Sequence, residues 1–161
     1  CSLSEIFSDA HHDMPRAATE AGESIDYIRR DALHYQAFNL DPWIEIALLE
    51  GGGRYQATIE AGWAFLKAKL LSPVKHYEFQ NTTDPFDSAR WAASHTDFLA
   101  PQAMWQPEEI AKPACAYHHW QRRRDPGYLE SAQDMMLIGR AVPDLASAWG
   151  EYFRWALGYG Q

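Results

Sequence analysis

Two cysteines in 161 residues, Cys1 and Cys115, are too few for a disulfide scaffold or a four-cysteine zinc site. A lipid-modified amino terminus, a bridge between the two, an exposed thiol and the edge of an excised segment are all compatible with Cys1, and a count of two does not choose among them. Positive charge is also scarce. Fourteen Lys and Arg stand against 22 Asp and Glu, a net charge of −8, and the only dense basic run is Arg122-Arg123-Arg124. A basic face able to neutralise nucleic-acid phosphates is therefore missing, no nucleic-acid partner is expected, and an anionic ligand has to be held by local charge. Apolar runs never reach the roughly 20 residues that span a bilayer. Glu45, Glu50, Lys67 and Lys69 interrupt the most apolar stretches, so no membrane span is expected. There is no fixed-period repeat and no low-complexity tract. Histidine pairs occur at His11-His12 and His118-His119, but adjacent positions on a helix diverge and no zinc-spaced set surrounds them. Neither a metal nor another cofactor is expected.

What the chain has in abundance is apolar and aromatic side chains: 47% of residues are hydrophobic, with seven Trp, eight Tyr and seven Phe. That is enough to build one core, and residues 1–161 read as a single domain. From Asp31 to Leu49 the apolar positions Leu33, Phe38, Leu40, Trp43, Ile44 and Ala47 recur at three- and four-residue steps, which predicts a buried helix, kinked or restarted at Pro42. Gly51-Gly52-Gly53 stops it. A second helix is expected from Arg54 to Leu71, ended by Ser72-Pro73, and the short glycine turn makes the pair an antiparallel hairpin. Val74 to Asp87 reads as a loop with a short extended piece at His76–Phe79. Asp84 and Pro85 then open a third helix reaching Phe98. A fourth spans Pro107 to Arg124 and ends at the Asp125-Pro126-Gly127 turn. Tyr128–Ile138 and Leu145–Leu157 complete an all-α pattern of helical hairpins.

The most informative stretch runs Arg29-Arg30-Asp31-Ala32-Leu33-His34-Tyr35-Gln36-Ala37-Phe38-Asn39-Leu40-Asp41-Pro42-Trp43. It resembles the motif of the alginate-lyase-like family of polysaccharide lyases, in which arginines precede Ala-Leu-x-Tyr-His/Gln and a proline-containing helix follows. Asp13-Met14-Pro15, Gly22 to Tyr27, and His76-Tyr77-Glu78-Phe79 through Arg90 are similar to the segments flanking that motif, so the resemblance covers about the first 90 residues. It implies β-elimination in a uronic-acid polymer such as alginate or glucuronan, with Tyr35 as base and acid. It also implies a chain that supplies the later half of an incomplete (α/α) toroid. An Asn or His that neutralises the substrate carboxylate would then lie before Cys1 or on a second chain. The expected setting is secreted, periplasmic or cell-envelope.

The residue types suit that chemistry. The proton alpha to a carboxylate is weakly acidic until donors or cations neutralise the carboxylate and stabilise the enolate-like intermediate. A tyrosine, with an ordinary pKa of about 10, needs cations beside it to act as a base. Arg30, and less directly Arg29, answer both needs. His34 and Gln36 flank Tyr35 on other sides of the helix and are expected to support substrate binding, with His76, Glu78 and Arg90 from the following loop and helix. The bland alternatives are a core tyrosine with a satisfied hydroxyl, a solvated cluster of Arg29 and Arg30 with Asp26 and Asp31, and a structural His76/Glu78 pair. At the level of function they correspond to a non-catalytic carbohydrate-binding or helical scaffold protein, or to an envelope protein anchored through Cys1.

Overall fold

The computed structural model describes residues 13–51, 53–74, 76–99, 107–129, 131, 133 and 134. After a 3-10 turn at Met14–Arg16, the helices in these residues are α1 (Ile25–Arg30), α2 (Leu33–Glu50), α3 (Gln56–Leu71), α4 (Pro85–Leu99) and α5 (Pro107–Arg124). The architecture is all-α. Among the described residues the only β pairing is an isolated bridge between Ala18 and Ser24. No described helix is long and apolar enough to cross a membrane.

Helix α2 is the hub, packing against α1, α3 and α5. Its buried residues Leu33, Leu40, Trp43, Ile44 and Ala47 lie on the stripe anticipated from their spacing and Ala37 joins them, whereas Phe38, expected on that stripe, is exposed. Pro42 lies inside the helix without ending it. The ring sits on an exposed side, where the carbonyl one turn earlier, at exposed Phe38, can turn to water. Gly51 closes the helix in the left-handed conformation at φ 72°, its N–H bonded to the Ala47 carbonyl at 3.0 Å. The chain then returns as α3, whose Ile59, Trp63, Leu66 and Leu70 face the core. Helix α5 adds Tyr117, stacked on Trp63 with ring centroids 5.2 Å apart, and Trp120.

Sequence spacing did not announce α1, which is only six residues long. Its start is set by Ser24, whose Oγ accepts from the Tyr27 N–H at 3.1 Å, and its end by Asp31 at φ 51°. Gln36 fixes how α1 meets α2. Its Oε1 accepts from the Ser24 N–H at 2.7 Å, and its Nε2 donates to the Gly22 carbonyl at 2.8 Å. Gly22 has φ 88°, and a Cβ there would lie 2.1 Å from the Ala61 carbonyl oxygen, so this backbone contact with α3 requires glycine.

The extended piece expected at His76–Phe79 is instead a turn. Glu78 is drawn inward to the start of α2, and Phe79 takes the left-handed conformation at φ 63°, which a strand cannot accommodate. The expected helix at Tyr128–Ile138 is described only in part, and that at Leu145–Leu157 lies outside the described residues.

Candidate proton-transfer site

Arg30 is the last residue of α1 and Tyr35 the third of α2, so the left-handed turn at Asp31 folds one onto the other. The Arg30 guanidinium carbon lies 3.9 Å from the centroid of the Tyr35 ring. Asp87, fully buried in the first turn of α4, holds that guanidinium from behind with two hydrogen bonds. Arg30 Nε donates to Oδ2 at 2.5 Å and Nη2 to Oδ1 at 2.9 Å. Arg90 Nη1 reaches the same carboxylate at 3.4 Å and lays its guanidinium over Phe79, 4.9 Å from the ring centroid. Asp84 caps α4 through the Phe86 and Asp87 N–H groups and pairs with Arg29 at 3.1 Å.

These contacts set the charges. The hydrogen bonds from Arg30 hold the Asp87 carboxyl below the usual carboxylate range, and the Arg30 guanidinium is correspondingly harder to deprotonate. Two guanidiniums thus meet at one carboxylate beside the phenol. Tyr35 is itself only partly exposed, and that burial, with Asp87 and Asp26 nearby, raises its pKa against the lowering by Arg30 and Arg90. At neutral pH its resting form is therefore the phenol. Among the described residues no hydrogen bond engages its hydroxyl.

A second buried carboxylate stands beside it. Glu78 Oε2 meets His34 Nδ1 at 2.7 Å, while Oε1 accepts from the Leu33 N–H at 2.7 Å and more weakly from the His34 N–H at 3.4 Å. Helix α2 has no capping side chain of its own, since its N-cap is Ala32, so Glu78 serves as that cap from 45 residues away. The His34 ring touches Tyr35, with centroids 4.0 Å apart, and borders a groove of about 330 Å³ lined also by Phe38, Asp41, Glu45 and Pro113. Phe38 is 75% exposed and offers the groove an apolar rim.

No family model, curated protein or solved structure matches this chain. The candidate site therefore rests on its own geometry. Of the residues expected to act, Arg30, His34, Tyr35, Glu78 and Arg90 gather around Tyr35 and Phe79. Gln36 does not join them: it is fully buried and spends its amide on Ser24 and Gly22. Arg29 is turned to Asp84, and its carbonyl accepts from Thr82 and Thr83. His76 bonds the Asp31 carbonyl at 3.1 Å and packs against Tyr27, so it and Glu78 do not share one face. Asp87 and Phe79 are the participants that sequence reasoning missed. Asp87 sits where a carboxylate merely favours a helix start, which hid its bond to an arginine 57 positions away.

The remaining candidates are placed as follows. His11 and His12 lie outside the described residues, and His118 is buried in the core beside Trp63 and Tyr117. Among the described residues no three His, Cys, Asp or Glu side chains gather into a metal-binding set. Cys1 is outside the described residues, and Cys115 is a half-buried thiol pushed up by burial to about 11, which makes it a poor nucleophile.

Proposed function

We propose that this chain is a polysaccharide lyase that cleaves a uronic-acid polymer of the alginate or glucuronan type by β-elimination, with Tyr35 exchanging protons with the sugar. The observation that carries the proposal is a partly open phenol with a guanidinium seated on its ring, that guanidinium being clamped by a buried carboxylate. Elimination needs a cation for the substrate carboxylate, a base for the alpha proton and an acid for the leaving oxygen. Arg30 uses its Nε and one Nη2 proton on Asp87, which leaves its remaining guanidinium protons to meet a uronate carboxylate. Arg90, more exposed than Arg30, extends the same positive edge. Tyr35 would protonate the glycosidic oxygen, and in a single-residue scheme it would also take the alpha proton. Asp41 and Glu45 would accept hydrogen bonds from hydroxyls of a neighbouring sugar ring resting on Phe38. The hairpin of α2 and α3 would be one unit of an (α/α) toroid, and the proposal includes that architecture and a secreted or cell-envelope setting.

Tyr35→Phe tests it. The substitution keeps the ring under Arg30 and removes only the hydroxyl, so the fold should be undisturbed. Release of unsaturated uronate ends, followed by their ultraviolet absorbance, should fall at least about 100-fold, as for loss of a general acid or base. If the unaltered protein yields no such ends from any uronan, the lyase reading fails. Uronan binding that persists in Tyr35→Phe, with no product from either protein, would point instead to a carbohydrate-binding scaffold.

A further inference from the structure

Phe86, the second residue of α4, leaves 66% of its surface exposed at the border of the candidate site. Two runs of contacts connect it to Tyr35. One passes from the Tyr35 ring to Phe79, with centroids 6.5 Å apart, and from Phe79 to Arg90, whose guanidinium carbon is 4.9 Å from that ring. The other passes from Tyr35 to Arg30 at 3.9 Å, to Asp87 at 2.9 Å and to Arg90 at 3.4 Å. Both end at Arg90, whose guanidinium carbon also lies 5.7 Å from the centroid of the Phe86 ring. A cation over an aromatic ring four residues away on a helix is an ordinary stabilising pair, and it accounts for that last contact. It does not account for the exposure. Arg90 is held by buried Asp87 and buried Phe79 whether or not residue 86 is aromatic, and its side chain remains 42% exposed where that of Arg30 is 24%. A large apolar ring and a guanidinium therefore face solvent together where both runs of contacts end.

We infer that Phe86 and Arg90 form a binding subsite for a second uronate residue of the polymer, next to the one that exchanges its proton at Tyr35. The inference rests on the lyase reading and names the part of the substrate that this edge holds. A pyranose ring has a side covered by C–H groups, and stacking that side on Phe86 removes apolar surface of both partners from water. The carboxylate of the same sugar then meets the exposed part of Arg90, a planar donor suited to a carboxylate. Neighbouring carboxylates do not oppose it, because each is already engaged: Asp84 by Arg29 and by the Phe86 and Asp87 N–H groups, Asp87 by Arg30 and Arg90. The two contacts select in different ways. Phe86 serves any sugar with an apolar side, whereas Arg90 favours a uronate over its neutral counterpart. Asp87 fixes the guanidinium before the ligand arrives, which reduces the ordering cost of binding. Phe86 does not touch the reacting atoms, and its part is to add affinity for a longer chain.

The experiment compares uronan oligosaccharides of increasing length on the intact protein and on Phe86→Ala, Phe86→Trp and Arg90→Gln. In the unaltered protein kcat/KM should rise from the shortest oligosaccharide cleaved to the longer ones. Phe86→Ala should remove about tenfold of that rise, through KM and not through kcat, and Phe86→Trp, which keeps an aromatic ring, should restore it. Ring signals of Phe86, assigned by their loss in Phe86→Ala, should shift in NMR spectra as the longer oligosaccharide is added. Its carboxyl-reduced counterpart should bind about tenfold more weakly, and Arg90→Gln should erase that difference. If product forms but Phe86→Ala keeps the preference for length, or the ring signals stay in place, the subsite is overturned and the lyase reading stands. Equal binding of the charged and neutral oligosaccharides overturns the assignment of a uronate to it. If the unaltered protein forms no product, the lyase reading is lost, and the subsite stands on the shift of the Phe86 signals or falls with its absence.

Discussion

Replacing Glu78 by alanine should destabilise the protein by about 2–4 kcal/mol, because one buried side chain serves two sets of donors. On the α2 side, its Oε1 accepts from Leu33 N–H at 2.7 Å and is the cap of a helix whose N-cap residue is alanine. Leaving that buried N–H unmet costs about 1–3 kcal/mol, and a lost cap is typically worth about 1. On the other side, the bond to His34 at 2.7 Å has a carboxylate acceptor, a class worth about 1.5–3 kcal/mol when intact. The two share a side chain and are not additive, which sets the upper bound below their sum. Glu78→Gln separates them. An amide oxygen can still accept from Leu33, so its cost should be about 1 kcal/mol and confined to the His34 side. Urea unfolding followed by far-ultraviolet circular dichroism measures both, with the slope of the transition confirming that the same surface unfolds. An alanine variant within about 0.5 kcal/mol of the parent would show that the start of α2 does not depend on this carboxylate.

Two further outcomes follow from the same packing. Gly22→Ala should cost at least about 2 kcal/mol, since its Cβ meets the Ala61 carbonyl at 2.1 Å and its φ is 88°, whereas Gly51→Ala, with φ 72° and open space, should cost about 1, and Gly53→Ala, whose nearest contact is Gln56 Oε1 at 3.6 Å, should be neutral. The Asp87 carboxyl is held below its ordinary value by Arg30, so its contribution to stability is fully present above the unfolded carboxyl value of about 4 and is lost as pH falls through the lower folded value. The urea midpoint should therefore decline below about pH 4, and more shallowly in Asp87→Asn; identical slopes for the two proteins would remove Asp87 from the account.

The parts of the fold that were legible in the sequence are those in which period and punctuation coincide. Helix α2 carries its apolar residues at three- and four-residue steps and meets Gly51, while α5 begins at Pro107 and ends with Arg122 to Arg124 before an Asp-Pro-Gly turn. Helix α1 was illegible because six residues are too few to display a period, and it is held by Ser24 and by the distant Gln36. In the site, the nearness of Arg30 and Tyr35 could be anticipated, being five positions apart across one turn. The burial of Gln36 could have been as well, for it lies on the same side of α2 as Leu33 and Leu40. The links from Glu78 to His34 and from Asp87 to Arg30 span 44 and 57 positions, and no local rule reports on them.

Those two long-range links share a physical origin. A helix that ends beside the start of another leaves carbonyls and N–H groups that neither can satisfy alone. Here the segment from Phe79 to Thr83 supplies the missing partners to α1: the Phe79 N–H bonds the Asp31 carbonyl at 2.8 Å, the Asn81 N–H bonds the Asp31 side chain at 2.6 Å, and the Thr83 N–H bonds the Arg29 carbonyl at 2.9 Å. Glu78 does the same for α2. Once the segment is fixed at both helix ends, Glu78 necessarily stands against His34, and α4, which starts two residues after Thr83, delivers Asp87 to Arg30. The left-handed backbone of Asp31 and of Phe79 is what bends each chain enough for this docking. A large aromatic residue in that conformation is unfavourable unless its surroundings hold it there, and Phe79 is buried between His34, Tyr35 and Arg90. The candidate proton donors and acceptors are thus positioned by the bonds that close the junction between α1 and α2, so a change that loosens the junction should disturb His34 and Arg30 together.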